Sequence, residues 1–337
     1  MINFIQFIIT RAFLAIITLL AVSFIVFALM ELVPANCAER YLAFKNTQGS
    51  NITIEDIEAE ERRLGLDRPF LVRWSTWVSN IVIKRDFGNS CILRVRINDL
   101  MKDKFFLSLG ICLTALLLAY LIAVPVGIIS ATTKFRSLDN ALKLISYLGL
   151  AIPNFLLALI IILFSVVFFG DTMTGLFTPE YVNAPWSFDK FKNFLSRAWL
   201  PIFILGWSAT AFALQTVRAL ISDEYEKLYV VAAKARGISG MTLLWKYPAK
   251  HSLGPIINSL GFDLNRIFNE LPIVALILML TESGALLVES LARTNDQQLA
   301  GAIIILLTGT IIMLNFLTDV LLAVIDPRIR KGVMGGS

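Results

Sequence analysis

Residues Phe105–Thr133 read FFLSLGICLTALLLAYLIAVPVGIISATT, without a single charged side chain. A helix rises about 1.5 Å per residue, so about 20 apolar residues cross a hydrocarbon core about 30 Å thick. This stretch is long enough to do so. Four others share the property: Ala12–Met30, Leu144–Gly170, Ala198–Val217 and Gln297–Thr318. A sixth, near Gly254–Thr281, is interrupted by Asp263, Arg266 and Glu270. The pattern predicts an all-α, polytopic membrane protein with six transmembrane helices. Pro125 and Pro153 fall inside two of the stretches, where neighbouring membrane helices can satisfy the carbonyls that a proline frees.

Composition agrees. Of 337 residues, 57% are hydrophobic and 16% charged, and the mean hydropathy is +0.73. Soluble domains hold about 25% charged residues, so the deficit points to lipid as the solvent. The net charge of +5 is then read as a topology signal rather than a nucleic-acid footprint. The apolar run after Arg11 exceeds the about 7–15 residues of a signal h-region and no A-x-A site follows, so it is read as a retained first span over 1–33.

Orientation follows the Lys and Arg of the short loops. Lys134, Arg136 and Lys143 lie in one, Arg218 to His251 contains six more basic residues, and Arg328, Arg330 and Lys331 close the chain. With six alternating spans these fall on one side, which places both termini in the cytoplasm of a bacterial inner membrane. Residues 34–104 then form a periplasmic loop domain. Residues 105–325 form the transmembrane core, with spans at 105–133, 144–170, 198–217, 254–281 and 297–318 and a loop at 218–253. Residues 326–337 are a cytoplasmic tail. In the outer domain, Glu55–Arg63 has helical composition, and Trp74 and Trp77 share a helix face that meets either the membrane interface or the packing of the small domain.

Cys37 and Cys91 both fall in that domain. In an oxidising compartment they can form a disulfide; two free thiols are the alternative. Cys112 lies inside an apolar run and reads as a packed small residue. There is no metal-ligand spacing, and His251 is the single histidine. No G-x-x-x-x-G-K-[ST] loop is present, so ATP is not bound by that route. Asn51-Ile52-Thr53 matches a glycosylation sequon without meaning in a bacterial chain.

The most informative loop runs from Tyr229 through Val, Val, Ala232, Ala233, Lys234, Ala235 and Arg236 to Gly237, then on to Pro248. It reads as two short helices joined at Gly237 and Gly240, where a Cβ would hinder the reversal. Ala232, Ala233 and Ala235 permit close approach of another protein, and Lys234 and Arg236 suit an acidic rim. An amphipathic helix lying on anionic lipid is the other reading.

This loop resembles the coupling loop of ABC importer permeases, in particular the oligopeptide/dipeptide family, whose pattern Y-x-x-x-A-x-A-K-G is met by Tyr229, Ala233, Ala235, Arg236 and Gly237. Other family elements occur in order: Gly65-Leu66-Asp67-Arg68-Pro69, Trp74 and Trp77, Asp86-Phe87-Gly88-Asn89-Ser90, Asn315 to Asp319, and Asp326-Pro327-Arg328-Ile329-Arg330. The chain departs from the pattern at Val231, where an acid is usual, at Pro248, and over Leu278–Leu287, where only Gly284 remains. The resemblance implies a permease, not an enzyme. It would form half of a pathway for peptides, or for an oligosaccharide, opine or nickel chelate. Its partners would be a second homologous permease, two ATP-binding subunits that hold ATP and Mg, and a periplasmic substrate-binding protein. It would bind no cofactor and no nucleic acid itself. An ion-driven secondary transporter is a different class, but the six spans lack the internal repeats common there.

Asp263, Arg266 and Glu270 are spaced three and four apart, hence on one helix face. Two readings stand: a polar wall of the solute path, or an Asp–Arg–Glu ladder satisfying itself at a permease–permease interface.

Overall fold

Lipid offers no hydrogen bonds, so each peptide group must be paired within its own segment, and every regular element among the described residues is a helix. The structure, a computed structural model, describes residues 2–47, 49, 53–170, 172 and 174–325. The 326–337 tail, with its Asp326–Arg330 element, and Asn51 and Ile52 of the sequon lie outside them.

In chain order the helices are α1 (Ile2–Leu32), α2 (Cys37–Thr47), α3 (Ile54–Leu64), α4 (Phe70–Ser79), continued by a π-helical turn over Asn80–Lys84, α5 (Ile97–Thr132), α6 (Arg136–Ala151), α7 (Asn154–Phe169), α8 (Pro179–Val182), α9 (Phe188–Tyr225), α10 (Leu228–Ala235), α11 (Gly240–Lys246), α12 (Pro248–Ile277), α13 (Ser283–Ala292) and α14 (Gln297–Ile325). Of these, α1, α5, α9 and α14 are long and apolar enough to cross a membrane, and α6 with α7 makes a fifth crossing if the pair is one span. The sixth expected span corresponds to α12. It is 30 residues long, but it carries Asp263, Arg266 and Glu270 and does not reach the same apolar standard.

The expected span at 144–170 is not one rod. It breaks at Ile152 and Pro153, and the two halves meet at 95°. Pro153 has no N–H to donate to the preceding turn, and its ring drives the residue before it out of the helical region. Ile152 accordingly sits at φ −91°, ψ 112°.

The chain divides into two compact units. One comprises Met1–Arg11, Leu109–Leu280 and Leu314–Ser337; the other comprises Ala12–Ser108 and Thr281–Met313. The second is larger than the 34–104 domain expected from sequence, because it takes in most of α1 and the 281–313 segment.

In the first unit α9 packs along both α6 and α12, and α7 along α9 and α12. Small residues set the spacing, as is common where membrane helices must approach closely. A Cβ built on Gly149 of α6 would lie 2.6 Å from the Cβ of Ala211 on α9. An apolar cavity of about 570 Å³ lies among α5, α6 and α9, lined by Ala119, Leu142, Trp199, Phe203, Trp207 and neighbours.

In the second unit, Thr53 and Asp56 form a capping box that starts α3. Trp74 and Trp77 are turned inward: they pack, with Phe70, onto Phe24 and Phe27 of α1. Cys37 and Cys91 are bonded, with their Cα atoms 5.3 Å apart. Beside the bridge, the buried Asp296 accepts hydrogen bonds from the Ser90 hydroxyl and the N–H groups of Cys91 (3.1 Å), Ile92 (3.3 Å) and Leu299 (3.0 Å). One carboxylate thus joins the start of α14 to the loop that carries the disulfide.

Two outcomes follow. Gly149→Leu should destabilise the first unit by about 1–3 kcal/mol, the usual cost of overpacking, read as a lower thermal unfolding midpoint in detergent. Alkylation of the denatured, unreduced chain should modify only Cys112, and all three cysteines after reduction.

Candidate functional site

The loop between α9 and α12 folds into a small knob. After Tyr225 the chain turns through Glu226 and Lys227 into α10, whose end is set by Gly237 at φ +82°. The Gly237 N–H donates to the Lys234 carbonyl (2.9 Å) and the Ile238 N–H to the Ala233 carbonyl (3.2 Å). These two bonds close the terminus around a left-handed residue, a geometry that strongly favours glycine. Helix α11 then runs back and α12 starts at Pro248.

The knob has its own core of Val230, Ala233 and Leu243, ringed by Tyr225, Tyr229, Ile238 and Tyr247. Ala233 is therefore turned inward, unlike Ala232 and Ala235, which are exposed with Lys234, Arg236 and Gly237. Sequence spacing grouped the three alanines together; the helix phase separates them. Tyr229 is half-buried. Its hydroxyl donates to Glu224, and its ring lies 4.9 Å from that of His251. Lys234 Nζ lies 5.1 Å over the Tyr225 ring. The outer surface also shows Leu228, 85% exposed, with Val231, Met241 and Trp245. Such a run of uncovered apolar side chains beside two cations marks an interaction surface.

The knob is not loosely hung. Val217 and Ile221 of α9 share one buried cluster with Leu244 of α11 and Ala249 and Ile256 of α12. Just before it, Arg218 on α9 donates to Asp139 on α6 through Nε (2.8 Å) and Nη2 (3.0 Å). Lys143 approaches the same carboxylate at 2.6 Å, and the Ser130 hydroxyl of α5 donates to it at 2.6 Å. Three helices are clamped on one acid. The Arg218 guanidinium, with Lys143 and Ser130, holds the Asp139 carboxyl well below the usual carboxylate range.

Along α12 the three charges do not form the ladder allowed by their spacing. Among the described residues no ion pair within 4 Å joins Arg266 to Asp263 or Glu270. Each is instead held by another helix. Asp263, 1% exposed, accepts from the Tyr120 hydroxyl of α5 at 2.8 Å, which also lies 2.8 Å from Ser259 Oγ. Arg266 Nη1 reaches the Ser208 carbonyl of α9 at 3.4 Å, and its guanidinium lies 4.8 Å over the Phe212 ring. Glu270 accepts from the Asn154 amide of α7, which also donates to Ser208 Oγ at 3.1 Å. Tyr120, Asn154, Ser208 and Ser259 had no signal in the sequence: they are neutral residues in apolar runs. Asp139 did have one, as the single acid in a basic loop.

Comparison with known proteins shows what the chain is similar to. The profile described as "Binding-protein-dependent transport system inner membrane component" matches residues 123–331, and that of the N-terminal region of such membrane components matches residues 4–94. The oligopeptide transport system permease protein AppB of Bacillus subtilis is 27% identical over 326 residues, covering 96% of this chain and 99% of that protein. The glutathione transport system permease protein GsiC of Escherichia coli K12 is 27% identical over 325 residues, covering 96% and 99%. The putrescine export system permease protein SapB of the same strain is 26% identical, covering 77% and 86%. Among solved structures, a chain of the MetNI methionine ABC transporter in inward-facing form has the same fold, with TM-score 0.53, 16% identity, and coverage of 67% of this chain and 96% of that one.

An acid with a depressed folded-state pKa stabilises the fold above its unfolded pKa, and that contribution is lost as pH falls toward the folded value. Asp139→Asn should therefore cost about 1–3 kcal/mol near neutral pH, the range for leaving a charged partner unmet. In thermal unfolding, the gap to wild type should stay constant down to about pH 4, near the ordinary aspartate pKa, and narrow below it.

Proposed function

This chain belongs to the family of binding-protein-dependent transport system inner membrane components, and we propose that it is one of two paired permease subunits of an ABC importer for peptides or a similar small solute. The carrying observation is the knob: a compact, rigidly mounted loop whose outer surface is small, apolar and cationic, in a chain similar along nearly all its length to peptide-transport permeases. In this reading the knob faces the cytoplasm, and Ala232, Lys234, Ala235, Arg236 and Gly237 seat in a cleft of an ATP-binding subunit. Tyr229 and Ala233 support that surface from inside. ATP and Mg are held by two such subunits, and this chain binds no cofactor. A second homologous permease completes the pathway, and a periplasmic binding protein delivers the solute.

The six-span topology is part of the proposal, with α12 as the span that lies among protein rather than lipid. Both termini are then cytoplasmic, and the 34–104 domain emerges on the periplasmic side of the inner membrane, with α2 and α3 outside it. Asp263, Arg266 and Glu270 serve as polar groups of the pathway wall. Each is anchored to a neighbouring helix, so a movement of α12 against α5, α7 or α9 would re-pair them. Closure of the ATP-binding subunits pushes the knob, and the shared cluster of Val217, Ile221, Leu244, Ala249 and Ile256 carries that push into α9 and α12 together. The nucleotide can drive alternating access only because the two pathway states present the knob differently to its partner.

Gly237 tests the assignment. No atom lies within 4 Å of a Cβ built there, so a side chain would meet the partner rather than this chain, and its positive φ resists a β-branched residue. Gly237→Val in vesicles reconstituted with the partner subunits should lower transport by about tenfold, a typical coupling magnitude, while nucleotide hydrolysis and membrane insertion persist. Unchanged transport would sink the docking assignment.

A further inference from the structure

The segment Phe70–Lys84 falls within the loop domain that sequence places outside the membrane, yet it packs on the charge-free run of α1. Trp74 Nε1 donates to Ser23 Oγ of α1 at 3.3 Å. Phe70 packs on Phe24 and Phe27 at 5.5 and 5.4 Å, and Trp77 on Phe27 at 5.6 Å. The same buried cluster includes Val22 and Val26 of α1 and Ile304 and Ile305 of α14. All the α1 residues lie within the charge-free run Ala12–Met30. The polar edge of that run is marked by Glu31, which takes a two-pronged pair from Arg73 at 2.8 and 2.6 Å. From Ser23 to Glu31 the helix advances about 12 Å. Arg73 thus meets α1 at its polar edge, while Phe70, Trp74, Trp77 and Ile81 pack on the charge-free part of α1 below it.

The outward face suits that position. Leu71, Val72, Val82 (68% exposed) and Ile83 (76% exposed) point away from the cluster. Between them lie Ser75 and Thr76, whose hydroxyls donate to the Val72 carbonyl at 3.0 and 2.7 Å. Over Leu71–Ile83 the exposed apolar side chains are interrupted only by these two hydroxyls, both paired with their own helix, and the exposed charges come at the end. The surface continues the exposed apolar side chains of α1: Phe24, Ile25, Leu29 and Leu32. Lys84 and Arg85 follow at the end, both exposed, as cationic side chains that reach for a phosphate layer.

We infer that Phe70–Lys84 is a membrane-embedded re-entrant element whose outer face, Leu71, Val72, Val82 and Ile83, is covered by lipid acyl chains of one leaflet. Acyl chains are the occupant because the face continues the exposed apolar side chains Phe24, Ile25, Leu29 and Leu32 of α1, a helix long and apolar enough to cross the membrane.

The test uses the full-length chain in phosphatidylethanolamine–phosphatidylglycerol vesicles. A nitroxide is attached at Val82→Cys, at Ile83→Cys in a second variant, and at Glu58→Cys on α3 as a water-exposed reference. Cys112 is buried and Cys37 and Cys91 are bonded, so labelling is selective. Relaxation by oxygen, which concentrates in lipid, relative to a water-soluble nickel chelate should be several-fold higher at both 82 and 83 than at 58. Nickel accessibility equal to the reference would place the segment in water and overturn the inference. Low accessibility to both reagents would mean that another protein surface covers it, and would overturn it as well.

Discussion

A buried polar or charged group that has left water must find its partner within the protein, and the first unit is arranged around that constraint. Asp263, Arg266 and Glu270 sit on a helix that would otherwise be an ordinary span. Each is met by a donor, carbonyl or ring from another helix: Tyr120 on α5, Ser208 and Phe212 on α9, Asn154 on α7. These pairings hold α12 in place among its neighbours. They also make its position discrete, because sliding α12 by a fraction of a turn would break several bonds at once.

A second clamp, at Asp139, lies further along α9, toward its C-terminal end. Arg218, Lys143 and Ser130 converge on one carboxylate from three helices, just before α9 turns into the knob. The knob shares a hydrophobic cluster with α9 and α12, so it is mounted on the two helices that pack along one another. A force on its outer surface would be delivered to both. This mounting is the physical reason to regard α10 and α11 as the proposed transmission element rather than as a surface loop with incidental glycines.

The second unit is held by a different device. Asp296 gathers four donors where α14 begins, and the Cys37–Cys91 bond lies beside it. The aromatic packing of Phe70, Trp74 and Trp77 on α1 draws a segment of the loop domain back alongside an apolar helix. A linear topology divides such a chain into spans and loops. Packing does not respect that division when a loop carries an amphipathic face of its own.

The sequence by itself determined what depends on neighbours along the chain. Charge-free length gave the four continuous crossing helices α1, α5, α9 and α14, since burial of such a helix in lipid requires little else. The residues around Gly237 and Gly240 gave a two-helix knob, because a left-handed turn is a local demand on backbone conformation. By sequence Pro153 is tolerable within a single span, whereas the packed structure breaks there at 95°. The tertiary structure alone decided which alanines of the knob face outward, and it alone decided what Asp263 and Glu270 pair with. Tyr120 precedes Asp263 by 143 residues, and Asn154 precedes Glu270 by 116. Both are neutral residues in apolar runs and leave no periodic or charged signature. A hydrogen bond between helices depends on the relative rotation and depth of two packed rods, and those are set by the fit of all their side chains together.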